Sequence, residues 1–174
     1  MTSYTPPLDD IRFMLKHIAK LDEIRELPGC EAASEDLVDQ ILDEAGRFAA
    51  AELAPLNRRG DEVGARLENG VVRTPEGFSE AYRQFVDGGW PGLPFPEEYG
   101  GQGLPWTVAI AVGELWHSAN MAFGLCPLLT EAAADALLKL GSDEQKARYL
   151  KPLVTGRWTG AMCLTEPHAG TDVG

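Results

Sequence analysis

Thr159-Gly-Ala-Met-Cys-Leu-Thr-Glu-Pro-His-Ala-Gly-Thr-Asp-Val-Gly174 closes the sequence. A short β-like run leads into Thr165-Glu166-Pro167 and then into the small-residue turn Ala169-Gly170-Thr171. One strand with an unfinished turn has no sheet to join, and even an isolated hairpin is marginal in water. The expectation is that a second, β-rich domain begins here. The 174 residues then read as the front part of a longer protein.

Upstream of this stretch the patterning is helical. Ile11, Met14, Leu15, Ile18 and Leu21 form one stripe and predict a first helix over 9–22, closed by Pro28-Gly29. Ser34 is an N-cap for a second helix to about Leu53, with Leu37, Ile41, Ala45, Phe48 and Ala49 on one face. Pro55 is expected to stop it, and 56–73 to be a loop with a short hairpin at Asn69-Gly70. Thr74-Pro75-Glu76 opens a third helix carrying Phe78, Tyr82, Phe85 and Val86. The Pro- and Gly-rich run 88–105 cannot be regular structure. Two helices that are apolar nearly all round follow, about 106–118 and 121–140, and are expected to be the most buried. Ser142-Asp143-Glu144-Gln145 is a capping box that starts a helix to about Val154. The fold class is therefore all-α. A helix within 1–33 precedes a bundle over 34–157, and 158–174 begins a β-domain with a strand near Trp158.

Composition bounds the chemistry. Hydrophobic residues make up 44% and charged residues 24%, enough for one core. Fifteen Lys and Arg against 27 Asp and Glu leave a net charge of −12, which disfavours nucleic acid as a partner. Cys30, Cys126 and Cys163 have neither paired nor metal-ligand spacing, so no metal site is expected. Three free thiols suit a reducing compartment. The N-terminus shows no signal-peptide pattern, and no run approaches the roughly 18 apolar residues of a membrane span. A cytoplasmic protein is expected.

Three stretches coincide in order and spacing. The first is Gly88-Gly89-Trp90 to Pro105, with Glu97-Glu98-Tyr99-Gly100-Gly101-Gln102-Gly103. The second is Gly141 to Leu150, followed by Gly156-Arg157-Trp158. The third is Met162 to Asp172. Together they resemble the acyl-CoA dehydrogenase family of flavoenzymes, whose first-strand signature is Thr-Glu-Pro-x-Ala-Gly-(Ser/Thr)-Asp. The resemblance covers 34–174. The preceding helix is similar to the longer branch that includes 3-methylmercaptopropionyl-CoA dehydrogenases, on Tyr4, Pro7, Arg12-Phe13, Leu27-Pro28-Gly29 and Ser118 to Phe123.

The resemblance implies an FAD enzyme that introduces an α,β double bond into an acyl-CoA thioester, with an electron-transferring flavoprotein as electron acceptor and homo-oligomers at full length. It assigns Met162, Leu164 and Thr165 to the flavin and Thr171 to the CoA side of the substrate. Met162 stands where many members carry an aromatic residue, and His168 where many carry Gly. The physics agrees, because a flavin needs rigid donors where reduction places negative charge, and a strand offers N–H groups and a hydroxyl in fixed positions. The family's general base lies beyond residue 174; Glu166 is not that base. The chain alone is thus expected to be inactive and to hold FAD weakly or not at all. Phe123, Leu125, Leu128, Leu129 and Ala133 are expected to be core, although helices of this region line the acyl pocket in the family. His17 reads as exposed, His117 as bonded to local carbonyls, and the Gly100–Gly103 loop as a tight bend rather than a phosphate cradle. Two other readings remain open: a stand-alone helical interaction module, and an acyl-CoA oxidase or flavin monooxygenase of the same fold.

Overall fold

Ser34 caps α3 (Glu35–Phe48), its hydroxyl oxygen accepting the Leu37 N–H at 3.3 Å. The helical path does not end at Pro55 as expected. In the computed structural model, which describes residues 4–172, a π-helical turn at Ala49–Leu53 leads into α4 (Ala54–Val63). Pro55 lies in the first turn of α4, where a missing N–H breaks no helical bond. The loop thus begins only at Gly64. The buried stripe is Val38, Leu42, Ala45, Ala49 and Leu53, which shares Ala45 and Ala49 with the expected one; Ile41 and Phe48 pack half-buried against the core and Leu37 is exposed. Sequence offers two adjacent apolar lines here, and packing against α6 (Trp106–Ala119) selects between them.

The N-terminal segment is also more broken than its periodicity predicts. α1 (Leu8–Phe13) passes into a π-helical turn at Met14–Ile18, and Lys20, at φ 56°, swings the chain into the short α2 (Leu21–Arg25). Only Ile11, Leu15 and Leu21 of the expected stripe are buried; Met14 and Ile18 face solvent. The segment is pinned by Tyr4 Oη against Ser118 Oγ at 2.7 Å. The Arg12 guanidinium adds bonds to Asp39 at 2.9 Å and Asp43 at 2.6 Å.

The Asn69-Gly70 hairpin forms as expected, joining β1 (Arg66–Glu68) to antiparallel β2 (Val71–Arg73) with Leu67 opposite Val72. Both turn residues take positive φ, the geometry that matches the twist of the two strands. α5 (Phe78–Asp87) starts later than Thr74-Pro75, because Gly77 at φ 97° separates them. Phe85 of α5 is fully buried and meets Trp116 and Phe123 edge-on at 5.7 and 5.5 Å. The 88–105 run holds two 3₁₀ turns, Trp90–Gly92 and Glu97–Tyr99. It folds on itself through Gln102 N–H to Gly92 O and Leu104 N–H to Leu93 O, both 2.9 Å. The expected tight bend is present.

α6, α7 (Met121–Leu140) and α8 (Asp143–Val154) fall where the sequence places them. Buried Asn120 joins α6 to α7: its Oδ1 accepts the Phe123 N–H at 3.0 Å and its Nδ2 donates to Leu53 O at 3.1 Å. Both bonds of the Ser142–Gln145 capping box are made. The expectation that α6 and α7 are the most buried helices needs correction. α7 buries Phe123, Gly124, Pro127, Thr130 and Ala134 but leaves Met121, Leu125 and Leu128 exposed, and α6 leaves Trp106 and Ile110 exposed. By length and mean hydropathy of 1.4 α7 is also long and apolar enough to cross a membrane, contrary to the sequence expectation; here it packs against α6 and α8.

Candidate functional site

The chain leaves α8 and is laid over α7. Gly156, at φ 69°, turns it, and the Tyr82 hydroxyl donates to Gly156 O at 3.0 Å. Trp158 N–H donates to Pro152 O at 2.9 Å. Gly160 N–H then donates to Thr130 Oγ1 at 3.0 Å, while the Thr130 hydroxyl donates to Cys126 O at 2.8 Å. A Cβ at position 160 would lie 2.9 Å from Ala133 Cβ, so glycine permits this approach. Half-buried Leu129 and Ala133 mark the crossing as the flank between the buried and uncovered faces of α7.

Past Gly160 the residues assigned to cofactor and substrate are all solvent-facing. Met162 is 68% exposed and Leu164 42%, and Thr165 and Thr171 are exposed too. The expected first strand near Trp158 is not formed over 158–165, because nothing in the described residues lies alongside to complete a ladder. What does form is the turn: Glu166 N–H bonds Ala169 O at 2.8 Å and Ala169 N–H bonds Glu166 O at 3.3 Å. Pro167 and His168 sit at its corner, and Thr165 and Thr171 flank it on opposite sides. Among the described residues no hydrogen bond engages the N–H groups of Met162, Leu164 or Thr165. Free donors and a hydroxyl on one short segment fit the polar edge of a flavin.

The expected core group on α7 divides. Phe123 is buried and Leu129 and Ala133 half-buried, but Leu125 and Leu128 join Met121 on the uncovered face. Between α5 and α7 lies a pocket of about 300 Å³ bounded by Phe78, Tyr82, Phe123 and Cys126. Burial pushes the Tyr82 phenol up to about 12 and raises the Cys126 thiol, so both stay neutral near pH 7. Sequence reading missed Thr130 and Glu131, although they are the conspicuous polar pair in an apolar helix. Glu131 is half-buried among Phe85, Phe95 and Pro127, and among the described residues neither hydrogen bond nor cation engages it. Burial pushes its carboxyl up to about 7. His117 bonds Gly113 O through Nδ1 at 2.7 Å, as expected, and His17 is exposed, its ring centroid 4.8 Å from that of Phe13.

The family profile described as acyl-CoA dehydrogenase, N-terminal domain, matches residues 35–157. The chain belongs to the acyl-CoA dehydrogenase family. A 3-methylmercaptopropionyl-CoA dehydrogenase of Ruegeria pomeroyi is 50% identical over 171 residues, covering 98% of this chain and 29% of the relative. Butyryl-CoA dehydrogenase from Megasphaera elsdenii superposes with a TM-score of 0.65 at 28% identity, over 80% of this chain and 34% of that one. An acyl-CoA dehydrogenase complexed with FAD from Bacillus anthracis does so at 0.63 and 25%, over 82% and 22%. This acyl-CoA dehydrogenase chain thus spans about 30% of the length of the curated relatives it matches.

Those relatives fall into two sizes. Three match 95 to 99% of the chain, and because 170 to 179 aligned residues make up 28 to 29% of them, they are roughly 590 to 620 residues long. Five match 73 to 80%; their 128 to 141 aligned residues are 30 to 34% of the whole, so they are roughly 410 to 450 residues long.

Proposed function

We propose that this chain is the N-terminal part of an FAD-dependent acyl-CoA dehydrogenase and supplies one wall of its active site. The observation that carries the reading is a juxtaposition. The chain crosses α7 at Gly160 and Thr130, on the flank of a helix that leaves Met121, Leu125 and Leu128 uncovered, and the residues that follow carry unengaged backbone donors and an unengaged Thr165 hydroxyl. The apolar face suits an acyl chain, and the donors suit the polar edge of a flavin.

In this reading Met162, Leu164 and Thr165 hold the flavin, and the Glu166–Ala169 turn carries Thr171 to the CoA side. Bound FAD would supply the acceptor for the hydride from the β-carbon. α7 would exclude water from the acyl chain, which strengthens the electrostatic interactions within the site. The base that removes the α-proton comes from outside these 174 residues, and an electron-transferring flavoprotein reoxidises the enzyme in the cytoplasm. A small thioether acyl group such as 3-methylmercaptopropionyl is the proposed substrate, on the 50% identity to the Ruegeria pomeroyi protein.

The test uses the complete gene product. It should purify yellow with one FAD per chain, bleach anaerobically on addition of 3-methylmercaptopropionyl-CoA, and react slowly with oxygen. The 174-residue chain alone should be colourless. A colourless complete product, or a yellow 174-residue chain, overturns the reading; rapid oxygen consumption would reassign it to an oxidase.

A further inference from the structure

Glu131 borders the same small cavity as the two side chains that hold the departing segment. The cavity measures about 10 Å³, room for about one water molecule, and Glu131 shares it with Tyr82 and Thr130. The Tyr82 hydroxyl donates to Gly156 O at 3.0 Å, and Thr130 Oγ1 accepts the Gly160 N–H at 3.0 Å. The turn at Gly156 also lies against another wall of the cavity. A Cβ there would be 3.1 Å from Pro91 Cγ and 2.5 Å from Val86 Cγ2. The half-buried carboxyl and both anchors of the segment thus meet around one space.

Little around this space can answer a charge on Glu131. From α5, Tyr82 is the titratable group at the cavity, and burial keeps it neutral. α8 and the 88–105 run contribute Leu153, Pro91 and Phe95, which carry no charge. On α7, Cys126 shares the neighbouring pocket with Tyr82 and stays neutral, and Asp135 is already paired with Lys139 at 2.7 Å. A carboxylate without a cation or a donor needs water. On its buried side the cavity admits about one, so further hydration requires the walls to part. Two of those walls carry the anchors. Uncharged Glu131 makes no such demand.

We infer that Glu131 is a pH-sensitive latch on the segment 156–165: uncharged, it lets the cavity close and the Tyr82 and Thr130 anchors hold; ionised, it loosens both. Its consequence for the cofactor rests on the reading that Met162, Leu164 and Thr165 meet the flavin. Burial raises the carboxyl from 4.5 to about 7, so the closed arrangement binds the proton more tightly than the open one and is favoured at low pH. Opening that hydrates the carboxyl should become about tenfold easier between pH 6 and pH 8.5.

The test is hydrogen exchange on the complete gene product at those two pH values, read as protection factors for 156–165 and for α3. The 156–165 amides should be less protected than α3 and should lose about tenfold in protection at the higher pH. Glu131→Gln should abolish that step, and the wild-type comparison stands without the variant. A step in α3 with none in 156–165 shows that only global unfolding senses the carboxyl, and overturns the latch. A step that survives in Glu131→Gln, or no step in either region, overturns it too. FAD content is scored on the same samples: a colourless product ends the flavin reading, while the exchange data still decide the latch.

Discussion

Gly160 donates its N–H to Thr130 Oγ1 at 3.0 Å, and this bond seats the departing segment on the flank of α7. The same hydroxyl donates to Cys126 O, so Thr130 is satisfied on both sides. Thr130→Val keeps the shape and removes the acceptor. We expect a loss of about 1 kcal/mol in global stability, with faster amide exchange confined to residues 156–172. Thr130→Ser should restore protection; if it does not, packing by the threonine methyl is what seats the segment.

Glu131 sets a pH dependence. Burial raises its carboxyl from 4.5 to about 7, so between those values the folded state binds more proton than the unfolded chain. Its contribution is therefore most favourable below pH 4.5 and is lost as pH rises through 7. Glu131→Gln should stabilise the fold at pH 8 by on the order of 2 kcal/mol, given about 1.4 kcal/mol per pKa unit and partial solvent access, and so raise the melting temperature there. The gain should disappear at pH 5. Equal effects at both pH values would show that the carboxylate is better solvated than its surroundings indicate.

Gly101 and Gly113 should respond oppositely to alanine. A Cβ at 101 would lie 2.0 Å from Phe95 O, inside the bend that closes the 88–105 loop, whereas one at 113 meets nothing within 4 Å on α6. Urea unfolding of the 174-residue chain should show Gly101→Ala losing about 3 kcal/mol. Gly113→Ala should gain about 0.5–1 kcal/mol from the reduced entropy of the unfolded chain.

Asn120 both caps α7 and ties it to the end of the α3 path. Asn120→Ala should cost about 2–4 kcal/mol, because the cap and the buried bond to Leu53 O are both lost. Asn120→Asp keeps the cap acceptor and loses the donor to Leu53. Its second carboxylate oxygen would then face Leu53 O in a buried setting, so at neutral pH it should unfold at least as readily as Asn120→Ala and recover on acidification.

Elements governed by local chemistry were legible in the sequence. Asn69-Gly70 makes its hairpin because both positions tolerate positive φ, and Ser142 with Gln145 makes its capping box within one helical turn. The three stretches 88–105, 141–158 and 162–172 together gave the family resemblance before any packing was known, and the family profile matches 35–157. Pro55 misled because proline ends a helix interior but fits a first turn, and only the π-helical turn before it creates that first turn. Periodicity likewise could not anticipate that Lys20 breaks the N-terminal helix.

The sequence by itself determined the Ser34 cap, the Ser142–Gln145 capping box, the Asn69-Gly70 hairpin and the places of α6, α7 and α8, since each depends on neighbours a few positions away, while the residues proposed to meet the flavin rest on the family resemblance. Tertiary structure alone decided which apolar line of α3 is buried and that α7 keeps Leu125 and Leu128 uncovered. It also set Thr130 as the seat for Gly160 and left Glu131 unpaired in an apolar setting. Those outcomes depend on contacts between helices distant in the chain, and an apolar residue reads the same in sequence whether its partner is another helix or a surface yet to be covered.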